Sequence, residues 1–341
     1  MLNYAIIGFG GLGKAHFRNT EELASLVSDI KLVAICDVDE TTFTTQRNIN
    51  ISSEQTELDL TGYNLYTDVE ELFEKEKLDF ILTALPTYIH EKIAVMAMER
   101  GIHVFSEKPM AINADQAQNM LDKAKENNVK LMIGQCVRYF PQYIALKNII
   151  DSKKYGEVVY ANFKRISAIP KWSWNNWFQD EEKSGGVVLD MHVHDVDYIN
   201  WVFGKPAYVN TRASGSYMKN DTIETSYGYE GKLVTAMSSW GMANGYPFTA
   251  EFMVNFENAT VELKNGEMKA YSEGKCEDVD VSCETLGVAS ANGYVNELID
   301  FIACIREDKE SVVNPPESSK LTIDIALAES KSANTKEVVA L

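Results

Sequence analysis

Apolar runs and helical repeats alternate along the chain up to about residue 135. The apolar runs that predict strands are residues 4–7, 32–36, 80–84, 103–105 and 130–133. The helical patterns between them are residues 11–27, 69–75, 89–100 and 114–127. Apolar strands joined by helices are typical of a parallel sheet covered on both faces, so this part predicts an α/β, doubly wound Rossmann sheet. Residues 41–63 are polar and weakly patterned, and they predict a loop with one short helix.

The pattern changes after about residue 137. Apolar and polar residues alternate over residues 157–166, 222–239 and 248–263, with turn signals such as Glu230-Gly231 and Asn265-Gly266. Such alternation predicts a large, open, mostly antiparallel sheet with one face packed on helices. The helical patterns that would cover this face are residues 145–151, 194–202, 294–306 and 318–332. We therefore predict two domains, a dinucleotide-binding Rossmann domain at 1–135 and an α+β domain for substrate binding and oligomerisation at 136–341.

Composition and charge narrow the choice of partners. The 341 residues include 50 acidic and 32 basic ones, for a formal charge of −18, which disfavours nucleic acid and anionic membrane surfaces. Five cysteines without a C-x-x-C pair argue against a disulfide framework. No apolar run reaches the roughly 20 residues of a membrane span, and the N-terminus already reads as a strand. We expect a cytoplasmic protein with no nucleic-acid or membrane partner.

A glycine motif follows the first strand directly. In G-x-G-x-x-G, Gly8 permits a tight turn, Gly10 lets backbone approach a pyrophosphate, and Gly13 lets the next helix pack closely. The predicted cofactor-binding residues of this turn are Gly8, Phe9, Gly10, Gly11, Leu12 and Gly13. Asp37 ends the second strand, where a carboxylate accepts ribose hydroxyls and repels a 2′-phosphate, so NAD is favoured, with NADP as the alternative. The alternative interpretation is a glycine-rich turn of an ordinary α/β protein that binds no dinucleotide.

Ligands of doubly wound sheets bind beyond the carboxyl ends of the strands. Two loops at such ends supply further predicted cofactor-binding residues, namely Leu85, Pro86 and His90 in one loop and Glu107 and Lys108 in the other. Lys108 is also a candidate to donate a hydrogen bond to a substrate oxygen. Taken alone, it fits a surface lysine in a turn before proline better.

A second candidate group opens a helix near residue 194. Asp190 and His194 are four residues apart, so on a helix they share a face, and a carboxylate that orients an imidazole provides a general base. Three alternatives stay open. His192 and His194 with Asp195 and Asp197 resemble metal ligands, although they cannot all converge on one point; Asp190 alone suits a helix N-terminus; and His194 suits a core position. We predict no metal.

Other side chains are weaker candidates for substrate contacts. Arg138 lies where the chain enters the second domain, and either clamps a ligand or forms a salt bridge between domains. Trp177, with Trp172 and Trp174, lies in a polar loop that suits a sugar-binding wall and a subunit contact equally. His16 and His103 are predicted to pack rather than to catalyse.

Together these residues resemble the glucose–fructose oxidoreductase / inositol dehydrogenase (Gfo/Idh/MocA) family. The matching segments are the glycine turn with His16, Asp37, residues 86–90, residues 97–109 with Glu107-Lys108-Pro109, residues 138–141, Gly185-Gly186 with Asp190 and His194, and helical segments at 294–297 and 326–330. The resemblance implies a Rossmann domain and an open-sheet domain with the active site between them. It also implies that Lys108 binds the reacting hydroxyl, His194 acts as acid and base, and Asp190 supports it.

The resemblance predicts an NAD(P)-dependent dehydrogenase that acts on a CH–OH group of a sugar, polyol or related compound, forming a homodimer or homotetramer through the outer sheet face. The family often has a small residue where this chain has His192, which we therefore expect to contact substrate or to share proton transfer with His194. Two other functions stay open. One is redox-assisted glycoside cleavage with NAD, and the other is nucleotide sensing without catalysis.

Overall fold

A computed structural model describes residues 1–45, 58–170 and 174–341 of the chain. The strands, in chain order, are β1 (Leu2–Ile7), β2 (Ile30–Cys36), β3 (Asn64–Tyr66), β4 (Phe80–Thr83), β5 (His103–Glu107), β6 (Leu131–Gly134), β7 (Val158–Ala168), β8 (Tyr208–Ser214), β9 (Thr222–Tyr229), β10 (Lys232–Met242), β11 (Thr249–Phe256), β12 (Thr260–Lys264), β13 (Glu267–Ser272), β14 (Lys275–Asp278) and β15 (Val339–Ala340).

The helices are α1 (Gly11–Arg18), α2 (Thr20–Leu26), α3 (Val69–Lys75), α4 (His90–Met98), α5 (Ala114–Glu126), α6 (Pro141–Asp151), α7 (Glu181–Ser184), α8 (Val193–Phe203), α9 (Cys283–Leu286), α10 (Gly293–Glu307) and α11 (Pro316–Thr335). Short 3-10 helices lie at Glu40–Phe43, Thr87–Ile89, Cys136–Tyr139 and Trp174–Gln179, and a π-helical turn at Val188–His192 runs into α8.

The chain divides into two compact units. The first unit is Met1–Gln135 with Trp172–Trp177 and Tyr294–Lys320, and the second is Cys136–Lys171, Phe178–Gly293 and Leu321–Leu341. The chain leaves the first unit after Gln135, and the roles assigned to the two predicted domains stay predictions. The later return of the chain to the first unit was not predicted.

The first unit holds a six-stranded parallel sheet in the order β3-β2-β1-β4-β5-β6. Strands β4 and β6 are fully buried, as expected for an all-parallel sheet with two covered faces. The order reverses between β1 and β4, so the carboxyl ends of these strands flank a crevice of the kind that binds dinucleotides. The predicted Rossmann fold is confirmed.

Two local features of this unit differ from the prediction. The single helix predicted for 11–27 is two helices that meet at Asn19, whose ψ of −8° tightens the turn there, and the Thr20 hydroxyl donates to the His16 carbonyl. The edge strand β3 was missed because its three residues are largely exposed and carry no apolar run. Much of the predicted loop at 41–63 falls on residues 46–57, outside the described residues.

Helix α10 completes the core of the first unit. The Phe301 ring packs edge-on against Phe80 of β4 and Phe105 of β5, with centroids 5.6 and 5.7 Å apart. Val295 and Leu298 bury their side chains in the same cluster. Apolar burial of this size explains why a segment so distant in sequence belongs to this unit.

The second unit is built on a nine-stranded sheet in the order β14-β13-β12-β11-β7-β10-β9-β8-β15. Neighbouring strands are antiparallel except β7 and β10, which run parallel. Burial alternates along β7, where Ala161, Phe163 and Arg165 point inward. The predicted open, mostly antiparallel sheet is confirmed.

Among the residues that the structure describes, no helix combines the length and apolarity needed to cross a lipid bilayer.

Candidate functional site

The glycine turn of the first unit depends on backbone contacts that a side chain would block. Gly8 has a φ of +91°, and a Cβ there would lie 2.4 Å from the Ala84 carbonyl oxygen. At Gly13 a Cβ would lie 1.9 Å from the Gly8 carbonyl oxygen, so α1 approaches the end of β1 as closely as backbone permits. A Cβ on Gly10, in contrast, would meet no described atom within 4 Å. Gly10 therefore presents open backbone, as a bound pyrophosphate requires.

The N-terminus of α1 suits an anion. No side chain caps it, its first turn contains no acidic residue, and Gly10 is the N-cap residue. Helices α3 and α5 differ, since Asp68 and Asn113 accept their N-terminal N–H groups. Uncapped N–H groups at the positive end of a helix dipole are a phosphate-binding arrangement.

Asp37 lies just after β2 and holds the glycine turn in place. Its Oδ2 accepts the Phe9 N–H at 2.6 Å, and its Oδ1 accepts the Asp39 N–H at 2.9 Å. Each carboxylate oxygen has a second lone pair, so Asp37 can also accept ribose hydroxyls. The predicted cofactor-binding residues Gly8–Gly13 and Asp37 thus form one connected turn, in which the Phe9 ring is buried and Gly11 and Leu12 are half-buried.

His90 joins the two predicted strand-end loops. Its two ring nitrogens lie 2.8 Å from the carbonyl oxygens of Leu85 and Pro109. Complete burial lowers the pKa of His90, while both carbonyl contacts oppose that shift. A neutral ring carries one N–H and so donates to one of the two carbonyls. His90 therefore braces the loops from inside, and Leu85 and Pro86 line the end of β4.

Glu107 is buried at the end of β5 beside the candidate Lys108. Its Oε1 lies 2.6 Å from His16 Nε2, and its Oε2 accepts the Lys108 N–H at 3.2 Å. Gly134 on the adjacent strand leaves room for this carboxylate, since a Cβ there would lie 3.1 Å from Oε2. His16, predicted only to pack, thereby links α1 to the residue before Lys108.

Glu297 on α10 ends the segment 294–297 that matches the family, but the sequence assigned it no role. It is fully buried, and neither of its carboxyl oxygens has a hydrogen-bond partner among the described residues. Burial, followed by the charge of Glu107, raises the pKa of Glu297 well above its usual value. This site therefore favours the neutral acid over the carboxylate. The position of Glu297 in an ordinary amphipathic helix gives no signal of this role.

Lys14 was also missed. It follows Gly13, is 2 % exposed, lies 5.5 Å from the Phe9 ring centroid and donates to the Thr45 carbonyl. A buried cation in the first turn of α1 adds positive charge beside the phosphate-binding turn. A lysine directly after the third glycine was the available signal.

Asp190 and His194 are set apart from their neighbours in the second unit by exposure. Every residue from 186 to 200 is buried except these two, which are half-buried. Asp190 lies in the π-helical turn and His194 in the first turn of α8. Polar side chains facing outward from an otherwise buried helix are typical of a ligand-facing surface, and π turns are frequent at functional sites.

The acidic residues that suggested a metal site have other partners. Asp195 accepts Arg165 Nε and Nη2 at 3.1 and 2.9 Å, and Asp197 accepts Arg138 Nε and Nη2 at 2.7 Å each. Both pairs are buried, and each neutralises charge that would otherwise be costly to bury. Within the described ranges, no three His, Cys, Asp or Glu side chains form a metal-like cluster.

Arg138, His192 and Trp177 are the remaining residues predicted to contact substrate. Arg138 is buried in the second unit, on Asp197 and 5.8 Å from the Trp201 ring, so its salt bridge lies within one unit rather than between domains. His192 is fully buried beside Ser238 and Tyr227. Trp177 is half-buried and Trp174 exposed, while Trp172 lies outside the described residues. Substrate contact by Arg138, His192 or Trp177 stays a prediction.

The fold and the glycine turn define the class of an NAD-binding oxidoreductase. Residues 2–135 match the model of the oxidoreductase family with an NAD-binding Rossmann fold, and residues 143–262 match the GFO/IDH/MocA C-terminal domain. The chain belongs to the GFO/IDH/MocA family.

Individual relatives are more distant. The chain is 26% identical to scyllo-inositol 2-dehydrogenase (NAD+) of Bacillus subtilis over 225 aligned residues. The alignment covers 66% of this chain and 60% of that protein. The chain is 25% identical over 258 residues to 2,7-anhydro-N-acetylneuraminate hydratase of Escherichia coli, covering 72% and 63%. The chain thus spans less than two thirds of the length of these curated relatives. Levoglucosan dehydrogenase in complex with NADH and levoglucosan has the same fold, with a TM-score of 0.83, 18% identity and 99% of each chain covered.

Gly10→Ala and Gly13→Ala form a matched pair that separates cofactor binding from folding. Gly13→Ala forces a Cβ into the Gly8 carbonyl and should lower the free energy of unfolding by about 1–3 kcal/mol, as overpacking does. Gly10→Ala should leave unfolding unchanged but weaken NADH binding about 10-fold or more, because its methyl group takes the place of the pyrophosphate. Chemical unfolding and NADH fluorescence titration measure the two effects. Equal losses of stability in both variants would contradict the assignment.

Glu297→Gln tests the buried neutral acid. Because the folded-state pKa of Glu297 is raised, its contribution to stability is complete below the ordinary pKa of 4.5 and is lost as pH rises toward the folded value. The amide mimics the protonated acid and does not titrate. The thermal midpoint of Glu297→Gln should therefore fall less than that of the wild type as pH is raised above 5.

The control for this experiment is Glu307→Gln, on the same helix but exposed. It should follow the wild-type slope. A Glu297→Gln midpoint that runs parallel to the wild-type curve would show that Glu297 is ionised in the folded protein.

Proposed function

We propose that this protein is an NAD-dependent oxidoreductase that transfers hydride between the cofactor and a hydroxyl-bearing carbon of a sugar, polyol or related compound. The observation that carries the proposal is the pair Asp190 and His194, half-buried in a segment that is otherwise buried, in a chain of this oxidoreductase family. A carboxylate and an imidazole in this setting suit proton transfer to and from a hydroxyl group.

The first unit supplies the proposed cofactor site. The open backbone at Gly10 and the uncapped start of α1 suit the pyrophosphate, and Asp37 suits the adenosine ribose. Bound NAD supplies the hydride acceptor. Asp37 would repel a 2′-phosphate, which favours NAD, and an NADP-using enzyme would have to place that phosphate elsewhere.

The chain's own residues would then handle the substrate hydroxyl. In alcohol oxidation the C–H bond breaks as hydride leaves, and the hydroxyl proton must go to a base. We assign that base as His194, with Asp190 to orient its ring and stabilise the charge it gains. Lys108, at the carboxyl end of β5, would donate a hydrogen bond to the same oxygen. In carbonyl reduction His194 returns the proton.

The substrate class is inferred from the relatives. One is named for scyllo-inositol oxidation, and a structure of the same fold contains levoglucosan. Cyclic compounds with several hydroxyl groups share a ring carbon that carries both hydrogen and hydroxyl. We infer a substrate of this kind, with Arg138, Trp177 and His192 as further candidate contacts.

We also infer self-association through the outer face of the nine-stranded sheet. Leu233 and Met253 are 53% and 40% exposed there, on β10 and β11. Exposed apolar side chains on a broad sheet face favour a homodimer or homotetramer.

A second candidate function has one observation in its favour. The relative from Escherichia coli is named a hydratase rather than a dehydrogenase. A conversion that oxidises the substrate and later returns the hydride would consume no net NAD. Such an activity would change the substrate without any lasting change in NADH absorbance.

Turnover of a defined panel tests the proposal. We expect NADH formation from NAD+ with at least one of scyllo-inositol, myo-inositol, glucose 6-phosphate and levoglucosan. Lys108→Met and His194→Ala should each lower kcat/KM about 10²- to 10⁴-fold, the usual contribution of a positioned proton donor or acceptor. Lys92→Met, an exposed lysine on α4, is the control and should retain activity.

The outcomes separate the candidates. Product formation without NADH accumulation would favour the hydratase-like function. Activity that survives in both Lys108→Met and His194→Ala would contradict the assigned roles. NADH binding without conversion of any compound would support a nucleotide-sensing protein.

A further inference from the structure

His192 lies on the buried side of the π-helical turn that carries Asp190. It is 0 % exposed, whereas Asp190, two residues earlier, and His194, two residues later, are half-buried. The turn therefore presents Asp190 outward while His192 points into the second unit. An imidazole at such a position needs polar partners, because burying ring nitrogens without hydrogen bonds is costly.

Three elements supply those partners. Ser238 Oγ of β10 lies 2.8 Å from His192 Nδ1, and Tyr227 Oη of β9 lies 3.2 Å from Nε2. Glu329 Oε1 of α11 lies 3.4 Å from the same Nε2. All three side chains are buried. One ring thus connects the π-helical turn to two strands and a helix.

The cluster favours a fixed arrangement of hydrogen bonds. Burial, together with the Glu329 carboxylate, raises the pKa of Tyr227 well above its usual value, so its hydroxyl keeps its proton and remains a donor. Ser238 can donate or accept as the His192 ring requires. Breaking any of these hydrogen bonds is costly, because it leaves a buried polar atom without a protein or water partner.

The hydrogen bonds of His192 matter for Asp190 and His194 because His192 lies in the π-helical turn between them. Each residue of an α-helix advances about 100° around the axis, and a π turn accommodates one extra residue. If the turn relaxed to α-helical register, Asp190 would rotate by about 100° relative to α8 and His194. The positions of these two side chains therefore depend on keeping the π turn in place.

We propose that His192 is a positioning residue whose hydrogen bonds to Ser238 and Tyr227, beside the Glu329 carboxyl group, hold the π-helical turn in register and so orient Asp190 relative to His194. This inference rests on the proposed function for its catalytic consequence, although the anchoring itself does not. It gives His192 a role different from the predicted substrate contact.

Single-group variants test the anchor with little change in volume. Tyr227→Phe and Ser238→Ala each remove one hydrogen bond to His192. Amide hydrogen exchange by mass spectrometry should show faster exchange of peptides that cover residues 186–194 in both variants. On the panel compound that turns over, kcat should fall about 10-fold or more, as small misplacements cause, with NADH affinity unchanged. Because both variants act through one ring, their effects should be non-additive in the double variant.

Thr225→Val is the matched control. Thr225 is buried on β9 two residues from Tyr227, and its hydroxyl lies 2.9 Å from that of Thr211 rather than His192. This variant loses a comparable buried bond and should leave exchange of residues 186–194 unchanged. Exchange in Tyr227→Phe and Ser238→Ala that matches Thr225→Val would overturn the proposal.

The exchange readout needs no substrate. If no panel compound turns over, faster exchange still supports the anchor while the proposed function fails. If a compound turns over and kcat in both variants equals that of the wild type, the positioning role is wrong although the function stands.

Discussion

Pairing of buried ionisable groups is the constraint on which both units depend. Burying an isolated charge costs several kcal/mol, so each such group needs a partner of opposite charge or must stay neutral. In the second unit Arg165 pairs with Asp195 and Arg138 pairs with Asp197. In the first unit His16 lies against Glu107. These pairs satisfy the charged groups that each unit buries.

This constraint also explains how α8 separates structural from candidate catalytic residues. The segment from Asp190 to Asp197 contains five ionisable side chains. Asp195 and Asp197 turn inward onto arginines, His192 turns inward onto Ser238 and Tyr227, and Asp190 and His194 remain half-buried. The sequence showed only that the segment was rich in such groups. Their division into two sets depends on Arg165 in β7 and Arg138 before α6, which no local pattern connects to α8.

Patterns in short stretches of sequence predicted the features of the fold that depend on neighbouring residues alone. The apolar run of β1, the glycine turn and Asp37 at the end of β2 follow from strand periodicity and backbone sterics. The edge strand β3, the break at Asn19 and the π-helical turn depend on contacts distant in sequence or on hydrogen bonds that periodicity does not encode. The same holds for α10, whose amphipathic pattern is ordinary and whose place on the first sheet is decided by Phe301 meeting Phe80 and Phe105.

The candidate cofactor site and the candidate lysine share one buried contact. Glu107 bonds His16 from α1 with one oxygen and the Lys108 N–H with the other. Because α1 begins at the glycine turn, any displacement of that turn moves His16 and therefore the carboxylate that holds the Lys108 backbone. The first unit thus couples the backbone that would receive phosphate to the lysine that would meet substrate, through His16 and Glu107.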